Sequence, residues 1–123
     1  MVPIQLDPDQ VKTIDADKVA RVVRGMPAHN DIDQLSEIFR LLSDPNRLRL
    51  LVSLAEAGEL CVSDLAAAAA MSESSVSHAL RLMRAHRVVK VRRSGRMSFY
   101  SLSDAHVRML LELGLEHLGH DDG

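Results

Sequence analysis

Four residues near the end of the chain have side chains that bind metal ions: Asp104 and His106, then His117 and His120. In a helix over residues 103–120, His106 and His117 share one face and lie about 16 Å apart along the axis. Because zinc–ligand bonds are only about 2.0–2.3 Å long, one helix cannot bring both ends to one ion. Two antiparallel copies can, with Asp104 and His106 from one and His117 and His120 from the other. The pattern therefore predicts a homodimer with two symmetric intersubunit metal sites.

The carboxylate of this set needs a particular position in the helix. Ideal helical geometry points Asp104 away from the histidines, so it joins them only in the first turn, where Ser103 as N-cap would place it. Each residue also has an ordinary role, since helix ends favour Asp at the start and His at the finish. Three imidazoles and one carboxylate suit Zn(II) in tetrahedral geometry, with Co(II) as the alternative. Nickel prefers six ligands, and only Asp121 and Asp122 follow the histidines.

Length and composition indicate one small domain. The chain has 123 residues, 46% of them apolar and 2% aromatic, with a single cysteine that excludes an internal disulfide framework. No segment has the pattern of a signal peptide or a membrane-spanning helix, so we expect a cytoplasmic protein without a membrane partner. We expect a flexible N-terminal arm at 1–12, a winged-helix DNA-binding and dimerisation domain at 13–120, and a tail at 121–123.

The basic residues are concentrated in one part of the chain. The net charge is −2, yet residues 74–103 contain seven Lys or Arg and no Asp or Glu. A charge run often means only a solvated face, but a stretch of this length without a carboxylate is typical of a surface that binds a polyanion. The chain has few aromatics for stacking on single-stranded bases, so duplex DNA is the expected partner.

Hydrophobic periodicity and capping residues predict six helices and one hairpin. The helices are expected at 15–25, 31–42, 45–57, 62–70, 72–86 and 103–120, with Asp44 as an N-cap and Gly58 as a stop. Residues 88–102 change to β-branched and alternating patterns around a turn at Ser94-Gly95, which predicts a two-stranded hairpin. A short helix, a turn, a second helix and a hairpin form a winged helix-turn-helix. The predicted fold is mainly α with a β-hairpin wing and extra terminal helices.

The helix that begins after Ser72, its predicted N-cap, is the candidate recognition helix. Its short polar side chains suit close approach to a groove, and helix N-terminal amides can hold phosphate. The residues predicted to contact bases or nearby phosphates are Ser74, Ser77 and His78, with Ser75 as a weaker candidate and Arg81 on phosphate one turn later. In the wing, Arg92, Arg93 and Arg96 flank the turn and are predicted to follow the backbone or enter a minor groove. The serines also fit a simple capping cluster.

Four segments of the chain resemble the ArsR/SmtB family of bacterial winged-helix metal-sensing repressors. They are Leu41–Leu51, Glu59–Leu65, Ser72–His78 and the Asp104-x-His106 … His117-x-x-His120 pattern, within a resemblance that covers about 35–120. The resemblance implies a homodimer on an inverted repeat of operator DNA. It also implies that Zn(II) on the C-terminal helices lowers DNA affinity and releases a metal efflux or sequestration gene. A coordinated histidine, here His117, would donate a hydrogen bond to a backbone carbonyl near Arg87.

The chain departs from other members of that family at a second metal site. Cys61 and Asp64 match half of it, but residues 1–28 contain no Cys or His to complete it, so we predict no tight binding there. Ser63 stands where arsenic-sensing relatives have a second cysteine. The alternatives are a cobalt- or nickel-responsive repressor and a metal-independent DNA-binding protein. An enzyme is excluded, because the chain has no nucleophile elbow and no phosphate-binding glycine loop.

Overall fold

The computed structural model describes residues 12–119. Most of the predicted arm at 1–12, His120 and the predicted tail at 121–123 lie outside the described residues. The chain divides into two compact units, with the boundary between Asp33 and Gln34. Within residues 12–119, no helix is long and apolar enough to cross a membrane.

The first unit contains α1 and the beginning of α2. Helix α1 spans Ala16–Gly25, and its N-cap Asp15 accepts a hydrogen bond from the backbone N–H of Lys18 at 3.0 Å. None of the residues of α1 is buried within the chain, although Val19, Val22 and Val23 are apolar. Helix α2 spans His29–Leu42 and continues across the boundary into the second unit. It begins two residues earlier than the sequence predicted, because the carbonyl of Ala28 accepts hydrogen bonds from the first turn.

The second unit contains four further helices, which are α3 (Pro45–Ala57), α4 (Val62–Ala69), α5 (Glu73–Ala85) and α6 (Ala105–His117). Two predicted N-caps are confirmed. Asp44 accepts a hydrogen bond from the N–H of Arg47 at 3.0 Å, and Ser72 accepts one from the N–H of Ser75 at 3.1 Å. Gly58 ends α3 with a φ of 86°, a left-handed backbone that glycine adopts without strain.

A β-hairpin follows the helix-turn-helix and forms most of a small antiparallel sheet. Strands β2 (Val89–Ser94) and β3 (Met97–Leu102) form the predicted hairpin, with Gly95 at the turn. A third strand, β1 (Leu60–Cys61), pairs with the other edge of β3, so the strand order is β1-β3-β2. The sequence did not predict β1, because two residues are too few to show alternation. The winged helix-turn-helix fold is confirmed.

The core fixes α5 against α3 and α4. Its fully buried side chains are Leu50, Leu51, Leu54, Leu65, Val76, Leu80 and Met83. Three of them, Val76, Leu80 and Met83, form the inner face of α5. Between α4 and α5, Ala70 adopts a left-handed conformation with φ 55° and ψ 48°, and this residue sets the turn of the helix-turn-helix. The opposite face of α5 is therefore presented to solvent in a fixed orientation.

Candidate metal centre and nucleic-acid interface

Helix α6 begins with Asp104 as its N-cap. One carboxylate oxygen, Oδ1, accepts hydrogen bonds from the backbone N–H groups of His106 at 2.9 Å and Val107 at 3.2 Å. The prediction that Ser103 is the cap was wrong, and the first helical residue is Ala105. Because Asp104 has extended backbone angles, φ −158° and ψ 177°, helical geometry does not dictate where its side chain points. The cap folds the carboxylate back over the first turn.

This cap places Asp104 beside the imidazole of His106. Asp104 Oδ1 lies 3.6 Å from His106 Nδ1, and the two side chains are 53% and 89% exposed. A carboxylate has two oxygens, so Oδ2 can take a metal ion while Oδ1 caps the helix. Imidazole nitrogen and carboxylate oxygen are both ligands that zinc accepts. The start of α6 therefore has two accessible donors at one end of the helix.

Of the other two predicted ligands, only His117 lies within the described residues, at the far end of α6. His117 is exposed and is the last residue of the helix, whereas His120 lies outside the described residues. Within residues 12–119 of one chain, no three His, Cys, Asp or Glu side chains gather closely enough to hold a metal ion. A site with three or more ligands that uses Asp104 and His106 must therefore take the others from elsewhere. The four-ligand intersubunit set stays a prediction.

A cleft of about 780 Å³ lies beside the start of α6. Its lining includes Asp104 and His106, and also His86 and Arg87 from the end of α5. The side chain of His86 lies close to two helices. Its Nδ1 lies 3.0 Å from the carbonyl oxygen of Leu82 in α5, and its Nε2 lies 3.9 Å from the carboxylate of Glu37 in α2. The end of the recognition helix therefore borders the proposed metal ligands, which spacing along the sequence does not reveal.

The exposed face of α5 contains the residues predicted to contact DNA. Ser74, Ser75, Ser77, His78 and Arg81 are all exposed, whereas Val76 and Ala79 between them are buried. The hydroxyl of Ser75 accepts a hydrogen bond from Ser72 Oγ at 2.8 Å, so Ser75 belongs to the capping cluster. Ser75 was the weaker candidate for DNA contact, and its hydroxyl already has a partner in this cluster. DNA contact by all five residues stays a prediction.

Asn46 and Arg47 lie next to this face, and the sequence analysis did not identify them. Both residues, at the start of α3, line a cleft of about 320 Å³ together with Ser74 and His78 of α5. Arg49 Nη1 donates a hydrogen bond to Asn46 Oδ1 at 2.8 Å. The sequence marks this segment by the Asp44-Pro45 helix start and by the family resemblance over Leu41–Leu51, and neither signal assigns a contact to these two residues.

The three wing arginines have different environments. Arg92 donates two hydrogen bonds to Glu59, from Nη2 at 2.7 Å and from Nε at 3.0 Å, and its guanidinium lies 4.9 Å from the ring centroid of Phe99. These hydrogen bonds hold the pKa of Glu59 below its ordinary value of 4.5, and they raise the pKa of Arg92. Arg93 and Arg96 are exposed. The charge of Arg92 already has a partner in Glu59, whereas DNA contact by the three wing arginines stays a prediction.

The half-site at Cys61 has a structural environment. Cys61 is buried, and its Sγ lies 3.3 Å from Ser63 Oγ. Asp64 is exposed in the first turn of α4. Burial of a free cysteine is ordinary for a small core residue. This geometry does not test whether the segment binds a metal, so the absence of tight binding there stays a prediction.

Residues 44–91 match the family model described as "Bacterial regulatory protein, arsR family". The chain is 46% identical over 106 residues to the transcriptional repressor SmtB homolog of Synechocystis, covering 86% of this chain and 80% of that protein. The chain belongs to the ArsR/SmtB family. A second relative, the cadmium resistance regulatory protein CadC homolog of Staphylococcus aureus, is 36% identical and is covered over 88% of each chain.

Solved structures of ArsR/SmtB proteins agree with this membership. The crystal structure of the AntR antimony-specific repressor superimposes with a TM-score of 0.62 at 32% identity, covering 95% of this chain and 96% of that one. A homodimeric winged helix-turn-helix domain from Mycobacterium bovis gives a TM-score of 0.67 at 25% identity, covering 80% and 97%. ArsR/SmtB repressors bind operator DNA as homodimers and are transcriptional regulators, not enzymes.

Proposed function

We propose that this ArsR/SmtB protein is a zinc-responsive repressor of metal efflux or sequestration genes. In this proposal the apo homodimer binds an inverted repeat in operator DNA, and zinc at two intersubunit sites lowers its DNA affinity. Each site uses Asp104 and His106 of one subunit with His117 and His120 of the partner subunit. The relatives include proteins named for cadmium resistance, which supports a metal as the effector.

The arrangement of residues along α6 carries the proposal. Met109, Leu110 and Leu113 are 53%, 40% and 60% exposed, and they lie on the same helical stripe as His106 and His117. An exposed apolar stripe with a histidine at each end favours antiparallel packing against a second copy of the same stripe. In that packing, the start of one α6 meets the end of the other, so the two separated halves of the ligand set come together.

The cleft beside α6 supports a route from the metal ligands to the DNA-binding face. Arg87, in a left-handed conformation with φ 60°, follows the C-cap of α5 and borders the same cleft as Asp104 and His106. A hydrogen bond from His117 of the partner subunit to a carbonyl near Arg87 would connect a ligand to the end of the recognition helix. Replacing His117 with Asn should retain some zinc binding but abolish the DNA response.

The donor set favours zinc over the other ions. Three imidazoles and a carboxylate are nitrogen and oxygen ligands of borderline hardness, which suit Zn(II), with Co(II) as the closest substitute. Soft ions select thiolates, and the single cysteine of the chain is buried on β1. When bound, the ion would tie α6 of one subunit to α6 of the other and so fix the spacing of the recognition helices. Small changes in that spacing misalign the second half-site.

Fluorescence anisotropy on the DNA upstream of its own gene tests this function. The chelator-treated homodimer should bind tightly, and zinc should weaken that binding at least about tenfold, an ordinary size for allosteric coupling. Excess chelator should restore the binding. His29→Gln is a matched control because it removes an exposed histidine of α2. If zinc, cobalt and chelator all leave tight DNA binding unchanged, the protein is a metal-independent DNA-binding protein. A response to cobalt alone would reassign the metal.

A further inference from the structure

The C-terminal turn of α3 is held by side chains from α6 and from the wing. Arg108 of α6 donates a hydrogen bond from Nη1 to the carbonyl oxygen of Ala55 at 2.7 Å. Four residues later, Glu59 accepts the two hydrogen bonds from Arg92 of β2. We call residues 55–59 the α3 junction. It is the segment through which the proposed metal-binding helix and the wing are connected by these side-chain hydrogen bonds.

The contact made by Arg108 supplies a hydrogen-bond donor to a carbonyl at the C-terminal end of α3. The last carbonyls of a helix have no partner within it, and the N–H of Gly58 already bonds to Leu54, one residue before Ala55. The guanidinium of Arg108 supplies the hydrogen-bond partner, and a positive charge at this end also suits the helix dipole. The contact is partly buried. A displacement of α6 that exceeds what the Arg108 side chain can follow would break this hydrogen bond or move the end of α3.

The α3 junction continues directly into the sheet. Leu60 and Cys61 pair with Tyr100 and Phe99 of β3, and the guanidinium of Arg92 lies over the ring of Phe99. Strand β3 pairs along its other edge with β2, and the two strands form the wing. The wing is thus attached to the junction through a backbone ladder and a forked ion pair. These contacts connect Ala55 to the hairpin whose turn presents the wing arginines.

We propose that Arg108 is a positioning residue that passes a displacement of α6 to the wing through the α3 junction. This inference rests on the proposed function, since it needs a metal response that begins on α6. Arg108 lies two residues after His106, on the helix that a metal would hold. It adds a connection to the wing that is separate from the one through Arg87 and the recognition helix.

The test compares zinc-driven release of DNA in the full-length wild type and in Arg108→Met, which keeps the aliphatic stem but removes the donors. Zinc should weaken wild-type DNA binding at least about tenfold and the variant less than about threefold, a partial loss of coupling. The DNA affinity of the apo protein and the zinc affinity of the DNA-free protein should each change less than about threefold. A purely structural role would lower apo DNA affinity or thermal stability and leave the ratio intact.

Two further variants keep the result interpretable. Glu59→Ala removes both oxygens that accept from Arg92 at the other end of the junction and should also reduce the zinc-driven change, even if Arg108→Met fails to fold. Arg24→Met removes an exposed arginine of α1 and should behave as wild type. An unchanged ratio in either folded junction variant would overturn the inference while leaving zinc repression in place. A wild type that does not respond to zinc would instead overturn the proposed function, and the inference with it.

Discussion

Asp104 Oδ1 lies 3.6 Å from Nδ1 of His106 while it accepts a hydrogen bond from the backbone N–H of the same residue. One carboxylate therefore serves as the N-cap of α6 and stands beside an exposed imidazole. The cap fixes where the carboxylate lies relative to the first turn, so a metal that binds there does not have to order it. This arrangement is the local basis of the proposed zinc site.

The two roles of Asp104 can be separated by substitution. Asparagine caps helices about as well as aspartate, so Asp104→Asn should retain stability but lower zinc affinity by more than about tenfold, because an anionic ligand is lost. Asp104→Ala should lower zinc affinity and also destabilise the protein by about 1 kcal/mol per subunit. Zinc competition with a chelating dye and urea unfolding at fixed protein concentration measure the two effects. Wild-type zinc affinity in both variants would reduce Asp104 to a helix cap.

The zinc response should weaken in acid. Imidazole must be neutral to bind a metal, and free histidine titrates near pH 6.5. Zinc affinity of the apo dimer should therefore fall steadily below about pH 6.5, as protons compete for the histidine ligands. Isothermal titration calorimetry from pH 7.5 to 5.5 in a weakly chelating buffer measures this change. A zinc affinity that is unchanged at pH 5.5 would contradict histidine ligation.

The wing arginines should differ in their contribution to the salt dependence of DNA binding. Arg96→Ala and Arg93→Ala should each reduce the slope of log affinity against log salt by about one unit per lost phosphate contact, about two per dimer. Arg92→Ala should reduce the slope much less, because its charge is paired with Glu59. Anisotropy titrations at several salt concentrations measure the slopes. Equal losses for all three arginines would show that Arg92 leaves Glu59 for DNA.

The turn between α4 and α5 has a residue that glycine would suit better. Ala70 has φ 55°, and a left-handed backbone costs a residue with a Cβ about 1–2 kcal/mol. Ala70→Gly should therefore stabilise the protein by about 1 kcal/mol after its extra chain entropy is subtracted. Ala68→Gly, at an exposed position inside α4, should destabilise it by about the same amount. Urea unfolding of both variants measures these effects. If the two substitutions shift the urea midpoint in the same direction, the backbone argument is refuted.

Local signals predicted most of the fold. Asp44, Ser72 and Gly58 mark helix ends because their side chains or backbone freedom act within a few residues, and the structure confirms all three. Strand β1 could not be predicted, because it exists only through pairing with the distant strand β3, in which Leu60 lies opposite Tyr100 and Cys61 lies opposite Phe99. Spacing likewise gave the candidate metal ligands, which stay a prediction. The cap at Asp104, rather than at Ser103, depends on the backbone conformation at that residue, which no spacing reveals.

The site was harder to predict where side chains compete for partners. The sequence grouped Arg92 with Arg93 and Arg96, since all three flank the same turn. Glu59 lies 33 residues earlier, and only the fold brings it to Arg92. The proximity of Asn46 to Ser74 has the same origin, because only the fold brings the start of α3 and the start of α5 to one cleft. Long-range pairings of this kind leave no periodic signal in one sequence.

The most direct test of the intersubunit site uses mixed dimers of two inactive variants. His106→Ala damages the Asp104/His106 half of every site, and His117→Ala damages the His117/His120 half. In a mixed dimer, one site combines the intact Asp104/His106 half of one subunit with the intact His117/His120 half of the other. The second site has lost a histidine from each half. Tight zinc binding should therefore return at one ion per dimer. Zinc stoichiometry of separately tagged, co-purified heterodimers, measured against a competing chelator, gives this number. A heterodimer that binds no more tightly than either homodimer would contradict a site shared between subunits.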